Sequence, residues 1–208
     1  MIDLVLPESR LGYAAALMEM HHDRKQVFVD RFGWRLPAKG SWLEVDQFDD
    51  EFAIYLLARC SEGRHRGSVR LLPSSRPHML DTLFSHLCPG GVPVGDDCWE
   101  ISRLVTRPPD APGTAVLRVH RLLALALVEF AHANAIARYT LVAEAHRVPA
   151  LLSVGWPVIP LGLPTFVDGE QLQALQIEMT SGTLEDMRRR LRIDEPVLRV
   201  LETPRRAA

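Results

Sequence analysis

The chain is short of cysteine. Cys60, Cys88 and Cys98 are its 3 cysteines in 208 residues. They form no CxxC pair and no metal-ligand cluster, and an odd number cannot close a full disulfide framework. A reduced, cytoplasmic protein is the expectation. An excess of one charge is missing too: 24 Lys+Arg against 26 Asp+Glu leave a formal net charge of -2. That excludes the strongly basic balance of a typical nucleic-acid binder. Long apolar runs are absent. The longest, residues 122–128, is far too short to span a bilayer, so no membrane association is expected. Residues 1–6 carry Asp3 and no basic leader, so no secretory signal is expected there. Internal repeats and Gly/Ser-rich linkers are also lacking, and one α/β domain over residues 1–208 is the simplest organisation. What is present, 47% hydrophobic and 24% charged residues, suits a substantial core and excludes disorder.

Hydrophobic patterning places the elements. Residues 11–30 read as a helix with Tyr13, Leu17 and Met20 on its apolar face, stopped by Gly33 and Pro37. Residues 52–59 and 67–72 read as paired strands joined by a polar hairpin. Residues 73–97, broken by Pro73, Pro77, Pro89, Gly90 and Gly91, read as an irregular excursion with one short helix near 79–87. A strand follows at 99–105, then the clearest helix at 114–134. Further along come a strand at 137–143, a short helix at 145–154, and a turn at Gly155-Trp156-Pro157. Residues 158–163 and 170–179 read as strands, although 171–177 fits a helix equally. A helix at 184–191 closes the reading. Strands followed by a helix, a strand and a helix imply a mixed α/β sheet.

Chemistry-bearing residues are scattered through the first half: Arg24, Phe28, Trp34, Asp46, Asp49, Arg70 and the tetrapeptide Glu100-Ile101-Ser102-Arg103. Taken singly, each charge reads as surface or structural pairing and each aromatic as core. Taken in order, Arg24-x3-Phe28-x5-Trp34, Asp46-x2-Asp49, Arg70 and Glu100-x2-Arg103 resemble the signature of the acyl-homoserine-lactone synthases, the LuxI-type autoinducer synthases of bacterial quorum sensing. The likeness is dense over residues 20–110 and looser to about 160, where Gly155-Trp156 also resembles a family turn.

The resemblance implies a GNAT-like three-layer α-β-α sandwich with a mixed, partly splayed central sheet, an acyl thioester lying where two strands part. It implies an acyltransferase with two substrates and no further cofactor. S-adenosylmethionine supplies the amine, and a fatty acyl thioester of acyl carrier protein or CoA supplies the acyl group. It also implies an N-terminal segment that closes over the donor. Within that frame Glu100 is the first choice for the base that deprotonates the amine. Asp46 and Asp49 suit the ammonium and sulfonium charges. Arg103 and Arg70 suit the donor carboxylate or the developing oxyanion. Equally, Arg24, Arg70 and Arg103 bridge Asp46, Asp49 and Glu100 in an ion-pair network. Phe28 and Trp34 suit the adenine or the sulfonium. Ser102, Thr140, Val142 and Trp156 are the choices for the acyl and phosphopantetheine side, with Leu151, Leu152 and Ala143 as neighbours. In the family a Thr near this strand accompanies 3-oxo chains.

Other features carry weaker readings. Ser102 lacks a GxSxG elbow and a paired histidine, which argues against a serine hydrolase. His21-His22 is half a metal site without further ligands, and no metal is expected. Arg118 and Arg121, with Arg138 and Arg147 further on, and the run Arg188-Arg189-Arg190-x-Arg192 are either solvated faces or docking patches for an acidic carrier protein. A general acyl-CoA N-acyltransferase is the competing function. The stretch 106–114 (TRPPDAPGT) has prolines and one glycine where such enzymes cradle a pyrophosphate on backbone N–H groups, so a carrier-protein donor is favoured.

Overall fold

The computed structural model describes residues 1–34, 38–39, 42–106 and 113–200. Strand β1 (Ile2–Val5) leads through a 3-10 segment (Pro7–Tyr13) into helix α1 (Ala14–Arg24), which runs on into a π-helical segment, Lys25–Arg31. Two short paired strands follow, β2 (Ala38–Lys39) and β3 (Leu43–Glu44), then the long strands β4 (Ile54–Arg59) and β5 (His65–Pro73). A short helix α2 (Met79–Thr82) lies before β6 (Cys98–Thr106), which precedes the longest helix, α3 (Gly113–Ala133). Then come β7 (Arg138–Glu144), α4 (Val148–Ser153), β8 (Val158–Pro160), β9 (Thr165–Val167), β10 (Glu170–Glu178), α5 (Thr183–Leu191) and β11 (Leu198–Val200).

These elements divide into two compact units, one of Met1–Arg70, Arg103–Leu123 and the stretch from Pro196, the other of Leu71–Ser102 and Ala124–Glu195. In the first, strands are ordered β11-β1-β4-β5-β6. β1 pairs parallel with β11 (Ile2↔Leu198) and antiparallel with β4 (Ile2↔Ala58). Ile54–Ala58 are all buried. A strand covered on both faces reads as a continuous apolar run, and the sequence IYLLA is such a run. Asp3, buried on β1, accepts from Arg59 Nε at 2.5 Å and Arg199 Nε at 2.7 Å, so one carboxylate ties β1 to both neighbours. Helix α1 buries Ala16 and Met20 but also Asp23 and Arg24. Each inward charge needs a partner. Asp23 lies 2.7 Å from His65 Nδ1, and Glu19 accepts from the His65 backbone N–H at 2.7 Å.

The single helix expected over 11–30 is three segments of different winding. The π turn is closed by Phe32 N–H to Val27 O at 3.0 Å, and Gly33, at φ 69, ends it. A π turn is wider than an α turn, so it changes the direction in which the following side chains leave the axis. Phe28 is the one residue of this segment that is buried.

In the second unit the order is β6-β7-β10-β8, with β9 on β10. β6 and β7 run parallel through Cys98↔Arg138, Trp99↔Tyr139 and Glu100↔Thr140, where their register ends. β10 runs antiparallel to β7 over seven pairs from Leu172↔Glu144 to Glu178↔Arg138. The strand reading of 171–177 therefore holds and the helical one does not. The part of α3 from Ala124 is buried almost all round, as its unbroken LALALV sequence requires. Tyr139, on β7, donates its hydroxyl to the Leu127 carbonyl there at 2.9 Å. Gly155 holds φ 94, and a Cβ added to it would stand 2.7 Å from Arg190 Nη1, so this turn requires glycine. Next to it the Trp156 indole N–H points at Met187 Sδ, 2.8 Å away. Both units contain parallel and antiparallel pairs, which is the mixed α/β class expected. The strands β1, β9 and β11 were not expected: four residues or fewer carry no readable period. Among the described residues no helix is long and apolar enough to cross a membrane.

Candidate active site

Arg24, in the last turn of α1, has its guanidinium fully buried. Its Nε donates to Glu44 Oε2 at 2.5 Å, and its two terminal nitrogens reach Asp49 Oδ1 and Oδ2 at 2.8 and 2.9 Å. Arg70, also fully buried on β5, grips Asp46 in a two-pronged pair at 2.5 and 3.0 Å and stands 2.9 Å from Asp49 Oδ1. Arg103, on β6, donates Nε to Glu44 Oε1 at 3.1 Å and Nη2 to Asp46 Oδ2 at 2.6 Å. Three guanidiniums and three carboxylates thus interlock, and their formal charges cancel. A buried ion would be prohibitive alone, so closure of the ring is what permits the burial.

Local backbone chemistry sets the two aspartates. Asp46 Oδ1 accepts from the Phe48 backbone N–H at 2.8 Å, and Asp49 Oδ2 accepts from the Asp46 N–H at 2.9 Å. This is the self-bonded turn that Asp favours. Tyr55 donates its hydroxyl to Asp49 Oδ1 at 2.9 Å. The aromatics finish one side. Phe28 and Trp34 stack with centroids 4.9 Å apart and planes 20° apart, and the Arg103 guanidinium carbon lies 5.7 Å from the Phe28 ring centre. Arg103 itself takes φ 51, a left-handed conformation that costs a non-glycine residue energy inside a strand. In that position its side chain meets both Glu44 and Asp46.

The electrostatics follow. Burial alone would raise the Asp46 carboxyl, but the Arg70 hydrogen bond and the charges of Arg70 and Arg103 outweigh it and hold Asp46 below the usual range. Burial opposes Asp49 likewise, and Arg24 and Arg70 hold it far below that range. Burial, then the Asp49 charge, pushes the Tyr55 hydroxyl well up, so it stays a donor. Burial lowers Arg103, with Glu44 acting against it. The sign of the pH effect is fixed. A folded carboxyl held below its unfolded value stabilises fully above the ordinary range near about pH 4, and that contribution disappears as pH falls through the folded value. Stability is expected to be flat from neutral pH to about pH 5 and to drop steeply below about pH 4. Urea midpoints across that range would show it, with Asp49→Asn flattening the acid limb. An unchanged limb in Asp49→Asn would refute the assignment.

In the second unit Glu100 is buried, and its Oε2 accepts from the Leu80 backbone N–H of α2 at 2.6 Å. Opposite it in the register is Thr140, fully buried, whose hydroxyl has no partner among the described residues. Val142, two residues on, packs against the apolar cluster of Leu80, Leu87, Cys88 and Ala174. Ser102 is half-buried on β6, and Trp156 is buried at its own turn. The structure therefore gathers Arg24, Phe28, Trp34, Asp46, Asp49, Arg70 and Arg103 in one unit and sets Glu100 beside Thr140 in the other. The sequence reading missed Glu44, which two arginines share. Its place two residues before Asp46, in a strand of only two residues, offered no signal beyond proximity.

His21 Nδ1 lies 2.9 Å from the Glu44 carbonyl and His22 Nδ1 3.1 Å from that of Trp42. Burial pushes the Cys88 and Cys98 thiols up. Arg118 and Arg121 are exposed, whereas Arg138, Arg147, Arg188 and Arg189 pair with Asp97, Glu144, Glu129 and Glu185 respectively. Residues 107–112, most of the proline-containing stretch 106–114, and Pro37 lie outside the described residues.

A mixed sheet with helices, in which the parallel β6–β7 register ends at Glu100↔Thr140, is the α/β fold class seen in GNAT-like proteins. An acyl-CoA N-acyltransferase from Pseudomonas aeruginosa shares this fold at a TM-score of 0.53 and 17% identity, over 85% of this chain and 97% of that one. Within the class, the autoinducer synthase family model matches residues 8–187, and the chain belongs to that family. The isovaleryl-homoserine lactone synthase of Bradyrhizobium diazoefficiens is 31% identical over 193 residues, covering 92% of this chain and 85% of that enzyme. A CoA-dependent acyl-homoserine lactone synthase, BjaI, solved with SAM and isopentyl-CoA, superposes at a TM-score of 0.87 and 28% identity, over 99% of this chain and 94% of its own. Relatives at 40–41% identity are matched over less than half of their length, 43% and 48%.

Proposed function

We propose that the chain is an acyl-homoserine-lactone synthase. The α-amine of S-adenosylmethionine attacks the carbonyl carbon of an acyl thioester. The C–N bond forms, the C–S bond breaks, and the thiol carrier leaves. The carboxylate of the same donor then displaces methylthioadenosine from the γ-carbon and closes the lactone. The observation that carries this reading is the gathering of Arg24, Phe28, Trp34, Asp46, Asp49, Arg70 and Arg103 around one buried ion-pair ring in a member of this family.

The residues divide by what their chemistry allows. Arg24 and Arg70 have their guanidiniums spent on carboxylates, so they position Asp46 and Asp49, whose ionised state suits a doubly cationic donor. Arg103 and Phe28 form the wall beside them, with Trp34 stacked outside, and the aromatic faces suit the adenosyl group or the sulfonium. Glu100 takes the amine proton, directly or through one water. Thr140, Val142, Ser102 and Trp156 are assigned to the acyl arm, the orphaned Thr140 hydroxyl as the donor to an acyl carbonyl. The expected place of the reaction is the cytoplasm.

For the acyl donor we favour a CoA thioester. BjaI, matched along nearly the whole chain, is a CoA-dependent enzyme bound to isopentyl-CoA. Acyl carrier protein is the second reading, favoured by the exposed Arg118 and Arg121. Purified protein given S-adenosylmethionine and matched panels of acyl-CoA and acyl-carrier-protein donors is expected to release methylthioadenosine and lactone one for one. Mass spectrometry would read both. Methylthioadenosine without lactone, or neither product with any donor, would overturn the proposal.

A further inference from the structure

Glu44 is the point where two arginines from different elements converge, and something must fix its main chain. β3 is only two residues long and pairs with a strand equally short, so sheet pairing alone is a weak anchor. The second anchor comes from α1. His21, one turn before Arg24, places Nδ1 2.9 Å from the Glu44 carbonyl. A carbonyl oxygen only accepts, so Nδ1 carries the proton and the tautomer is set. The ring also meets Tyr55 in a T-shaped contact with centroids 6.2 Å apart, and Tyr55 in turn holds Asp49. His21 thus contacts the main chain of Glu44 and the tyrosine that holds Asp49.

We propose that His21 is a positioning residue whose Nδ1–H fixes the Glu44 main chain and so the place where Arg24 and Arg103 meet; this rests on the synthase reading above. Among the described residues the charged groups facing the ring are Arg24, Glu44 and Asp49. Burial and then the Arg24 charge keep the imidazole below its usual value, so it works as a neutral donor at physiological pH. Loss of His21 removes a side-chain donor from the main-chain carbonyl of a fully buried residue, and the arginines follow Glu44.

The test compares His21→Ala, His21→Asn and His21→Gln with the wild type in kcat and KM for S-adenosylmethionine. The asparagine amide N–H falls where Nδ1–H was, and the glutamine amide falls near Nε2. His21→Ala is expected to lose about tenfold in kcat/KM, the cost of one buried hydrogen bond. His21→Asn is expected within about threefold of the wild type and His21→Gln to lose about as much as alanine. If alanine does not fold, the asparagine and glutamine pair carries the comparison. His21→Ala within about twofold of wild type, or asparagine and glutamine equal, overturns the proposal. Wild type that makes no lactone overturns the synthase reading instead. The clamp is then still tested by the imidazole nitrogen-15 spectrum, where an Nδ1-protonated neutral ring is expected and an Nε2-protonated ring refutes it.

Discussion

Glu44→Ala is expected to lose about 3–5 kcal/mol of folding stability, the largest effect of any single change in the ring. Glu44 is fully buried and takes Arg24 at one oxygen and Arg103 at the other. Removing it strands parts of two buried guanidiniums and leaves a ring of three cations facing two anions. Arginine cannot shed its proton to escape, so the whole cost falls on folding. Glu44→Gln keeps the shape and one acceptor but not the charge, and its loss is expected to be smaller. Glu185→Ala breaks a pair whose side chains are 68% and 81% exposed, and is expected to change stability by less than about 0.5 kcal/mol. Urea titrations of the three variants at neutral pH would decide. A Glu44→Ala loss near that of Glu185→Ala would mean the ring does not carry the fold's stability.

Glu44 also marks where reading the sequence stopped working. Arg24, Asp46, Asp49, Arg70 and Arg103 were recognisable because their order and spacing are distinctive, and the structure joins them. An ion-pair network among them was one of two open readings, and its third acid was expected to be Glu100, the charge nearest Arg103 in sequence. Glu44, which that reading did not include, takes Arg24 and Arg103 in the unit that carries the ring. Nothing local distinguishes a glutamate in a two-residue strand from a solvated one, since its burial is set by residues 20 and 59 positions away. Arg103's left-handed backbone is similarly invisible, because arginine has no preference for it. The long elements were legible: α3, β4 and β10 bury enough residues to impose a period or a run. The π turn after α1 was not, since KQVFVD fits an α-helix as well. That turn decides where Phe28 stands, so the least readable piece of backbone is one the aromatic wall depends on.

Glu100→Gln is expected to fold as the wild type does and to lower kcat by about 10²–10⁴-fold, the contribution of a positioned general base. The substitution is informative because of how Glu100 is held. Its Oε2 accepts from the Leu80 N–H at 2.6 Å, and a glutamine carbonyl oxygen accepts the same bond. The backbone of α2 therefore keeps its partner, while the negative charge and the ability to take a proton are lost. A solely structural Glu100 would tolerate this change, and turnover within about threefold of wild type would remove it as the base. Kinetics separate the two bond-forming steps. The base acts on the amine, so amide formation should slow, and no acylated donor should accumulate before the lactone. Accumulation of an acylated, unclosed donor would place the residue's contribution in the second step. Thr140, facing Glu100 across the last register pair, is the internal control. Thr140→Val removes a hydroxyl that has no partner among the described residues, so it should shift acyl-donor preference while leaving kcat with the preferred donor within about threefold of wild type.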